Sequence, residues 1–293
     1  MADKLDIAVA RMQEASAMSL HYYEKPLLLL YSGGKDSDAI LKVAEIAKIP
    51  YEVQHSHTTA DAPETVHHVR KKLHELELQG IKCAIDFPFY KGKRTSMWDL
   101  IPQKLMPPTR LVRYCCEVLK ENGGRDRFVA TGVRWDESSA RKKSRGDFEK
   151  SHHKKDKRII LNNDNDVERR LFENCTPKGK RTVNPIIDWE KQDVWDFLNS
   201  EKVECNPVYC EFSRVGCVGC PMAGKAGRER QFLRWPAYKR NYILAYDRML
   251  EKRRQSGLNT EWQSGLDVFR WSMEYDTLPG QIDILEEDDN FED

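Results

Sequence analysis

Ser32-Gly33-Gly34-Lys35-Asp36-Ser37 brings two hydroxyls, two glycines, a cation and a carboxylate together, directly after the apolar run Leu27 to Tyr31 and before a helical pattern. A short buried strand that delivers such a turn into a helix start aims several backbone N–H groups, and the positive end of the helix dipole, at one place. Anions bind at such places, and the spacing suits a pyrophosphate. Gly33 and Gly34 let the backbone approach phosphate oxygens, Ser32 and Ser37 add hydroxyl donors, and Lys35 adds a point charge. Asp36 is expected to orient Lys35 or to hold Mg²⁺. The Walker pattern separates its first glycine from its Gly-Lys pair by four residues, so this is not an ordinary P-loop.

A second set of chemistry-bearing residues lies in the cysteines. Cys115 and Cys116 are adjacent, and Cys217 and Cys220 form a C-x-x-C in Val215-Gly216-Cys217-Val218-Gly219-Cys220-Pro221. Gly216 and Gly219 are expected to let the backbone turn so that two sulfurs face one metal, with Cys115 and Cys116 completing four thiolates. Four soft ligands suit zinc or an iron-sulfur cluster, and adjacent cysteines, unusual in zinc ribbons, lean towards iron. The bland alternative is an unmetallated pair of thiols.

The elements that must position these groups follow from periodicity. Leu5, Ala8, Met12, Ala15 and Met18 mark an amphipathic first helix. Strand-like segments at Leu27 to Tyr31, Tyr51 to His55, Cys83 to Phe87 and Phe128 to Val133 alternate with helical patterns carrying Ile40, Leu41 and Ala44, then Val66, Val69, Leu73 and Leu76. This alternation predicts an α/β fold, a parallel sheet covered by helices, with a smaller cysteine-bearing C-terminal part. The expected division is a nucleotide-binding domain over 1–200 and a helical cysteine-bearing region with an acidic tail over 201–293. Ligands in such sheets sit beyond the carboxyl ends of the strands, where Ser32, Thr58 and Gly132 fall and are expected to share one cleft. Ser139 to Arg158, with basic residues outnumbering acidic ones about three to one, reads as a mobile surface segment, and Glu286 to Asp293 as a disordered tail.

The loop resembles the PP-loop of the adenine nucleotide alpha hydrolase superfamily. Tyr114-Cys115-Cys116-Glu117-Val118-Leu119-Lys120 with Cys217-Val218-Gly219-Cys220 resembles the cysteine pattern of the phosphoadenosine and adenosine phosphosulfate reductase family. Thr58 to Thr65, Thr131-Gly132-Val133-Arg134 with Glu137-Ser138, and Asn184-Pro185 through Trp195 resemble further segments of that family in its order, over roughly residues 25 to 222. The resemblance implies an adenine nucleotide as ligand and a four-iron four-sulfur cluster on Cys115, Cys116, Cys217 and Cys220. Two departures from the reductases stand out: no cysteine follows Cys220, and the Ser32 to Ser37 loop is intact. Both favour the branch similar to the ATP pyrophosphatases of DNA phosphorothioation and tRNA thiolation.

On that reading ATP·Mg²⁺ binds at Ser32, Gly33, Gly34, Lys35, Asp36 and Ser37 with Thr58 and Gly132, and Lys35, Asp36 and Arg134 act in catalysis. Arg134, with Lys120 beside it, is expected to hold an α-phosphate or sulfate. A nucleic-acid acceptor and a sulfur-donor protein are the expected partners. The alternatives are a sulfonucleotide reductase and a non-catalytic nucleic-acid-binding protein with structural zinc. The chain carries 48 basic and 47 acidic residues, so no global field argues for nucleic acid. Arg228, Arg230, Arg234, Lys239 and Arg240 with Trp235 and Tyr238 nevertheless form a local basic-aromatic stretch. Cys83 reads as a small buried hydrophobe, Cys175 and Cys205 as surface thiols, and Cys210 as an alternative ligand or sulfur carrier. His55, His57, His67 and His68 match no familiar ligand spacing and read as solvated or capping. No signal-peptide core follows Met1, and the leucine run is too short to span a bilayer, so a cytoplasmic chain away from membranes is expected.

Overall fold

A computed structural model of the chain describes residues 2–121, 123–151, 158–161 and 179–275. The chain divides into two units. One comprises 1–56, 64–86 and 122–209; the other comprises 57–63, 87–121 and 210–293. The second unit therefore draws in two segments that precede residue 200, and these carry Thr58 and the Cys115-Cys116 pair.

The first unit is built on a seven-stranded sheet in the order β3-β2-β1-β6-β9-β7-β8. Its strands are β1 (Leu27–Leu30), β2 (Tyr51–Ser56), β3 (Cys83–Asp86), β6 (Phe128–Ala130), β7 (Phe148–Ser151), β8 (Arg158–Leu161) and β9 (Lys180–Val183). From β3 to β9 all pairings are parallel, and β7 and β8 extend that sheet antiparallel. The sheet is therefore mixed rather than wholly parallel. β1 is central and flanked on both sides, which is why it reads as four consecutive leucines instead of alternating. Helices α1 (Ala2–Tyr23), α2 (Lys35–Ala47), α3 (Pro63–Leu78) and α7 (Lys191–Ser200) belong with it. Ala8, Met12 and Ala15 of α1 join Ile40, Val43 and Ala44 of α2, Leu73 and Leu76 of α3, and Phe197 and Leu198 of α7 in one buried core.

The segment expected to be mobile is instead built into the fold over 139–151. It forms α6 (Ser139–Ser144) and then β7, where Glu149 is buried and engaged. Glu149 accepts from Arg145 Nη1 at 2.9 Å and Asn184 Nδ2 at 2.9 Å, and Asn184 Nδ2 also donates to Gly146 O at 2.7 Å. One buried carboxylate thus anchors Arg145 while Lys142 and Lys143 stay exposed, a pairing that composition hides. Lys154, Lys155 and Lys157, Cys175 and the acidic tail lie outside the described residues.

In the second unit a two-stranded hairpin, β4 (Phe89–Tyr90) with β5 (Lys93–Arg94), precedes α4 (Met97–Lys104) and α5 (Tyr114–Leu119). Helices α8 (Lys225–Arg234), α9 (Pro236–Gln255) and α10 (Gly265–Ser272) complete it. Phe232 meets Tyr242 and Phe269 edge-on at centroid separations of 5.8 and 5.2 Å, tying the three last helices together. Among the described residues no helix is long and apolar enough to cross a membrane.

Candidate functional site

The chain leaves β1 for β2 on one side and reaches β6 on the other, so the strand order reverses between β1 and β6. In an open α/β sheet the crevice at such a reversal is the ligand position. Ser32 to Ser37 follows β1, and Thr131 to Arg134 follows β6. The two connections touch: a Cβ on Gly132 would lie 2.8 Å from the Asp36 backbone. Gly33 is required by the turn itself. Its φ is +75°, and a Cβ there would lie 2.5 Å from Val69 Cγ2. Ser37 stabilises the start of α2 by accepting from Gly34 N–H at 3.1 Å and donating to Gly34 O at 2.7 Å, while Ser32 Oγ donates to Ser37 Oγ at 3.2 Å.

Asp36 lies between two cations. Lys35 Nζ donates to its carboxylate at 2.8 and 2.9 Å, and Arg134 Nε donates to Oδ1 at 2.7 Å. Arg134 is only 3% exposed and donates Nη1 to Trp189 O at 3.1 Å and to Asp136 Oδ2 at 3.2 Å. It is therefore a fixed interior cation and not a surface ion pair. Burial lowers the Lys35 ammonium from its ordinary range, and Asp36 offsets part of that effect. The two buried cations are met by two carboxylates, Asp36 and Asp136, so the positive end of the α2 dipole is what remains to favour an anion here. Of the two roles expected for Asp36, orienting Lys35 is the one these contacts display.

The second unit gathers the cysteines. α5 carries Cys115 and Cys116; Cys217 and Cys220 follow in a turn closed by Cys220 N–H to Cys217 O at 3.2 Å. Gly219 needs its glycine, with φ +72° and a would-be Cβ 2.5 Å from the Phe232 ring. Gly216 does not: its φ is not positive and a Cβ there would meet nothing within 4 Å, so only one of the two glycines makes the turn. Cys217 Sγ donates to Thr58 Oγ1 at 3.6 Å and lies 3.9 Å from Asp61 Oδ1. Thr58, expected beside the nucleotide, is thus a neighbour of a cysteine.

All four thiols are free, and Cys115 feels the charges of Cys116, Cys217 and Cys220. The hydrogen bond from Cys115, and after it Arg113 at 3.5 Å, hold the Cys116 thiol down to about 5. Burial pushes Cys217 up to about 11. The Cys217 charge in turn raises the Lys120 ammonium. This donor chemistry fits a thiolate-bound metal group.

Other expectations are corrected by burial. His55 and His68 are buried: His55 Nδ1 bonds Tyr31 O at 2.9 Å, and His68 Nε2 lies 3.2 Å from Tyr31 Oη, itself a donor to Asp38 at 2.6 Å. Cys205 is half-buried, packed against the first unit's core. Cys83 is half-buried in β3, and burial raises it to about 11. Arg228 is buried, donating to Ser272 O at 2.5 Å and Glu274 at 2.7 Å, and Trp235 stacks on Phe212 at 5.1 Å, so these two serve packing, while Arg230, Arg234, Lys239 and Arg240 are exposed. Asn206 and Tyr209, which contact the loop, carry no sequence signal beyond the turn-forming Pro207 between them.

A phosphate loop at the reversal point of a helix-flanked sheet, with a cysteine-bearing C-terminal region, defines a PP-loop, adenine nucleotide alpha hydrolase-like protein. Residues 26–223 match the phosphoadenosine phosphosulfate reductase domain, and the chain belongs to that family. It is 36% identical over 59 residues to adenosine 5'-phosphosulfate reductase from Neisseria meningitidis, covering 20% of this chain and 24% of the relative. It is 31% identical over 58 residues to the enzyme of that name from Allochromatium vinosum, 20% of this chain and 23% of the relative, so the match spans about a quarter of these reductases. A longer match, 27% identical over 236 residues, covers 70% of this chain and 68% of sulfate adenylyltransferase subunit 2 from Chromobacterium violaceum. The U34-tRNA thiolase NcsA from Methanococcus maripaludis, solved with its [4Fe-4S] cluster, is similar over 88% of this chain and 83% of its own, at 15% identity and TM-score 0.43.

Proposed function

We propose that the first unit binds ATP·Mg²⁺ on Ser32 to Ser37 and cleaves it between the α and β phosphates. An acceptor atom forms a bond to the α-phosphorus, the α–β bridging bond breaks, and pyrophosphate leaves with the electron pair. The observation that carries this reading is the pair of buried cations, Lys35 and Arg134, joined through the half-buried Asp36 around an intact loop. Backbone amides, Ser32, Ser37 and Lys35 hold the departing pyrophosphate, Arg134 steadies the α-phosphate, and Asp36 keeps both cations aimed until the phosphates replace it. Gly132 packs the second connection onto the loop. The 236-residue match to a relative named for adenylyl transfer to sulfate supports this chemistry.

Cys115, Cys116, Cys217 and Cys220 are the residues that would hold a [4Fe-4S] cluster, with Thr58 beside Cys217. Such a group, once bound, supplies thiophilic iron for handling sulfur. Arg113 and Lys120 offset the charge of the thiolates. Nucleic acid is the proposed acceptor class, with a sulfur-donor protein as second partner. The second unit carries a groove of about 920 Å³ in which Lys91, Lys93, Arg94, Arg248 and Lys252 outnumber Asp99, Asp247 and Glu251, a modest basic excess beside Tyr90.

The reductases among the named relatives support a second reading: release of sulfite from adenosine phosphosulfate with two electrons from an external dithiol. These matches show higher identity than the adenylyltransferase match, over a shorter stretch. One assay separates the two. Anaerobically purified protein is given ATP with transfer RNA or DNA, and separately adenosine phosphosulfate with dithiothreitol. Pyrophosphate from ATP, lost in Lys35→Ala, is the expected result; sulfite without pyrophosphate establishes the second reading instead.

A further inference from the structure

The Tyr209 hydroxyl stands where the phosphate loop would present an amide to its ligand. Lys35 N–H donates to Tyr209 Oη at 2.9 Å, and a Cβ on Gly34 would lie 3.2 Å from the same oxygen. Lys35 opens α2, so its N–H has no carbonyl partner within the helix and is one of the donors that anions use at helix starts. The hydroxyl is held there by its surroundings. Asn206, 1% exposed, donates Nδ2 to Gly33 O at 2.8 Å and to Thr65 Oγ1 at 3.0 Å, and accepts at Oδ1 from Val208 N–H at 3.0 Å. Tyr209 N–H donates to Asn206 O at 3.1 Å, and Trp195 meets the Tyr209 ring edge-on at 5.1 Å. Burial keeps the phenol protonated, so it offers Lys35 a neutral acceptor. An anionic phosphate oxygen is a much stronger one.

We infer that Tyr209 is a specificity-determining residue of the loop: its hydroxyl occupies the Lys35 amide in the free chain and yields that amide to an anionic phosphate oxygen. The inference rests on the nucleotide reading above and deepens it. A ligand gains the Lys35 amide only if its oxygen outcompetes the phenol, which selects phosphate chains over neutral or weakly accepting groups.

Tyr209→Phe removes the competitor and keeps the ring. With ATP and inorganic pyrophosphate as probes, the variant should bind both roughly two- to tenfold tighter than wild type, the range set by one net hydrogen bond. Amide exchange reads the same handover: in the free state the Lys35 N–H should exchange at least about tenfold faster in Tyr209→Phe, and ATP should protect it in both proteins. Equal or weaker binding by a folded variant, or unchanged exchange of that amide, overturns the role given to Tyr209 while leaving the nucleotide reading in place. Failure of wild-type protein to bind either probe removes the nucleotide reading, and this inference with it.

Discussion

The two units solve the problem of building a reactive site in opposite ways. In the first, the proposed ligand-facing groups come from one local turn: six consecutive residues at the end of β1, shaped by Gly33 and backed by Lys35 and Arg134. In the second, side chains do the work, with sulfurs from two segments about a hundred residues apart held by α5 and a turn around Gly219. The proposed anion site is charge-balanced by Asp36 and Asp136, so it can rest without ligand. The thiol cluster concentrates potential negative charge, with Arg113 and Lys120 as counterweights, and the proposed metal would draw off the protons that burial keeps on Cys217. A site made of backbone survives most substitutions nearby, whereas a site made of four sulfurs depends on each one.

Separate changes in the two units should therefore have separable effects. The largest is expected from Lys35→Ala, which should lower turnover by a factor on the order of 10³ while iron and sulfide content stay at the wild-type level. Steady-state pyrophosphate release beside metal analysis checks this, and parallel loss of metal would erase the distinction between the sites. Next comes Cys217→Ala, which should abolish stoichiometric metal binding and leave ATP affinity within about twofold; Cys210→Ser should alter neither, because Cys210 is exposed and outside the four. Arg134→Gln follows, with a loss on the order of 2–4 kcal/mol in urea unfolding, since it strands the Asp36 carboxylate beside a single remaining cation. A loss below about 1 kcal/mol would show Arg134 to be less engaged than its burial indicates.

The smallest effect is in protons, and its sign differs between the units. Burial places the Lys35 ammonium below its ordinary range in the free chain, and a bound phosphate favours the charged form. Between the lowered free value and the higher bound value the complex holds more protons, so ATP binding at alkaline pH, just below the ordinary lysine range, should take protons up. Metal loading of the thiols should release them. Calorimetry in two buffers of different ionisation enthalpy measures both, and proton release on ATP binding would contradict the role of Lys35.

The same contrast governs what is legible in the sequence. The loop and the alternating strands and helices are local features, so neighbouring residues suffice: Ser32 to Ser37 follows β1, and Ala8, Met12 and Ala15 form the buried stripe. The cysteine pattern is legible because thiols are few and soft, although their spacing says nothing of Thr58 or Asp61 beside Cys217. β7 escapes such a reading because composition counts charges without their partners, and Glu149 is paired inward. Tyr209 escapes it because its meaning is a contact with a backbone amide 174 residues away, which no spacing rule reaches.

The central claim, that Ser32 to Ser37 is the nucleotide site, is tested most directly by calorimetric titration of ATP into wild-type and Lys35→Ala proteins matched for metal content. One saturable site is expected in wild type, with binding at least about tenfold weaker in the variant. No binding by wild type, or equal affinity in the two, would contradict that assignment.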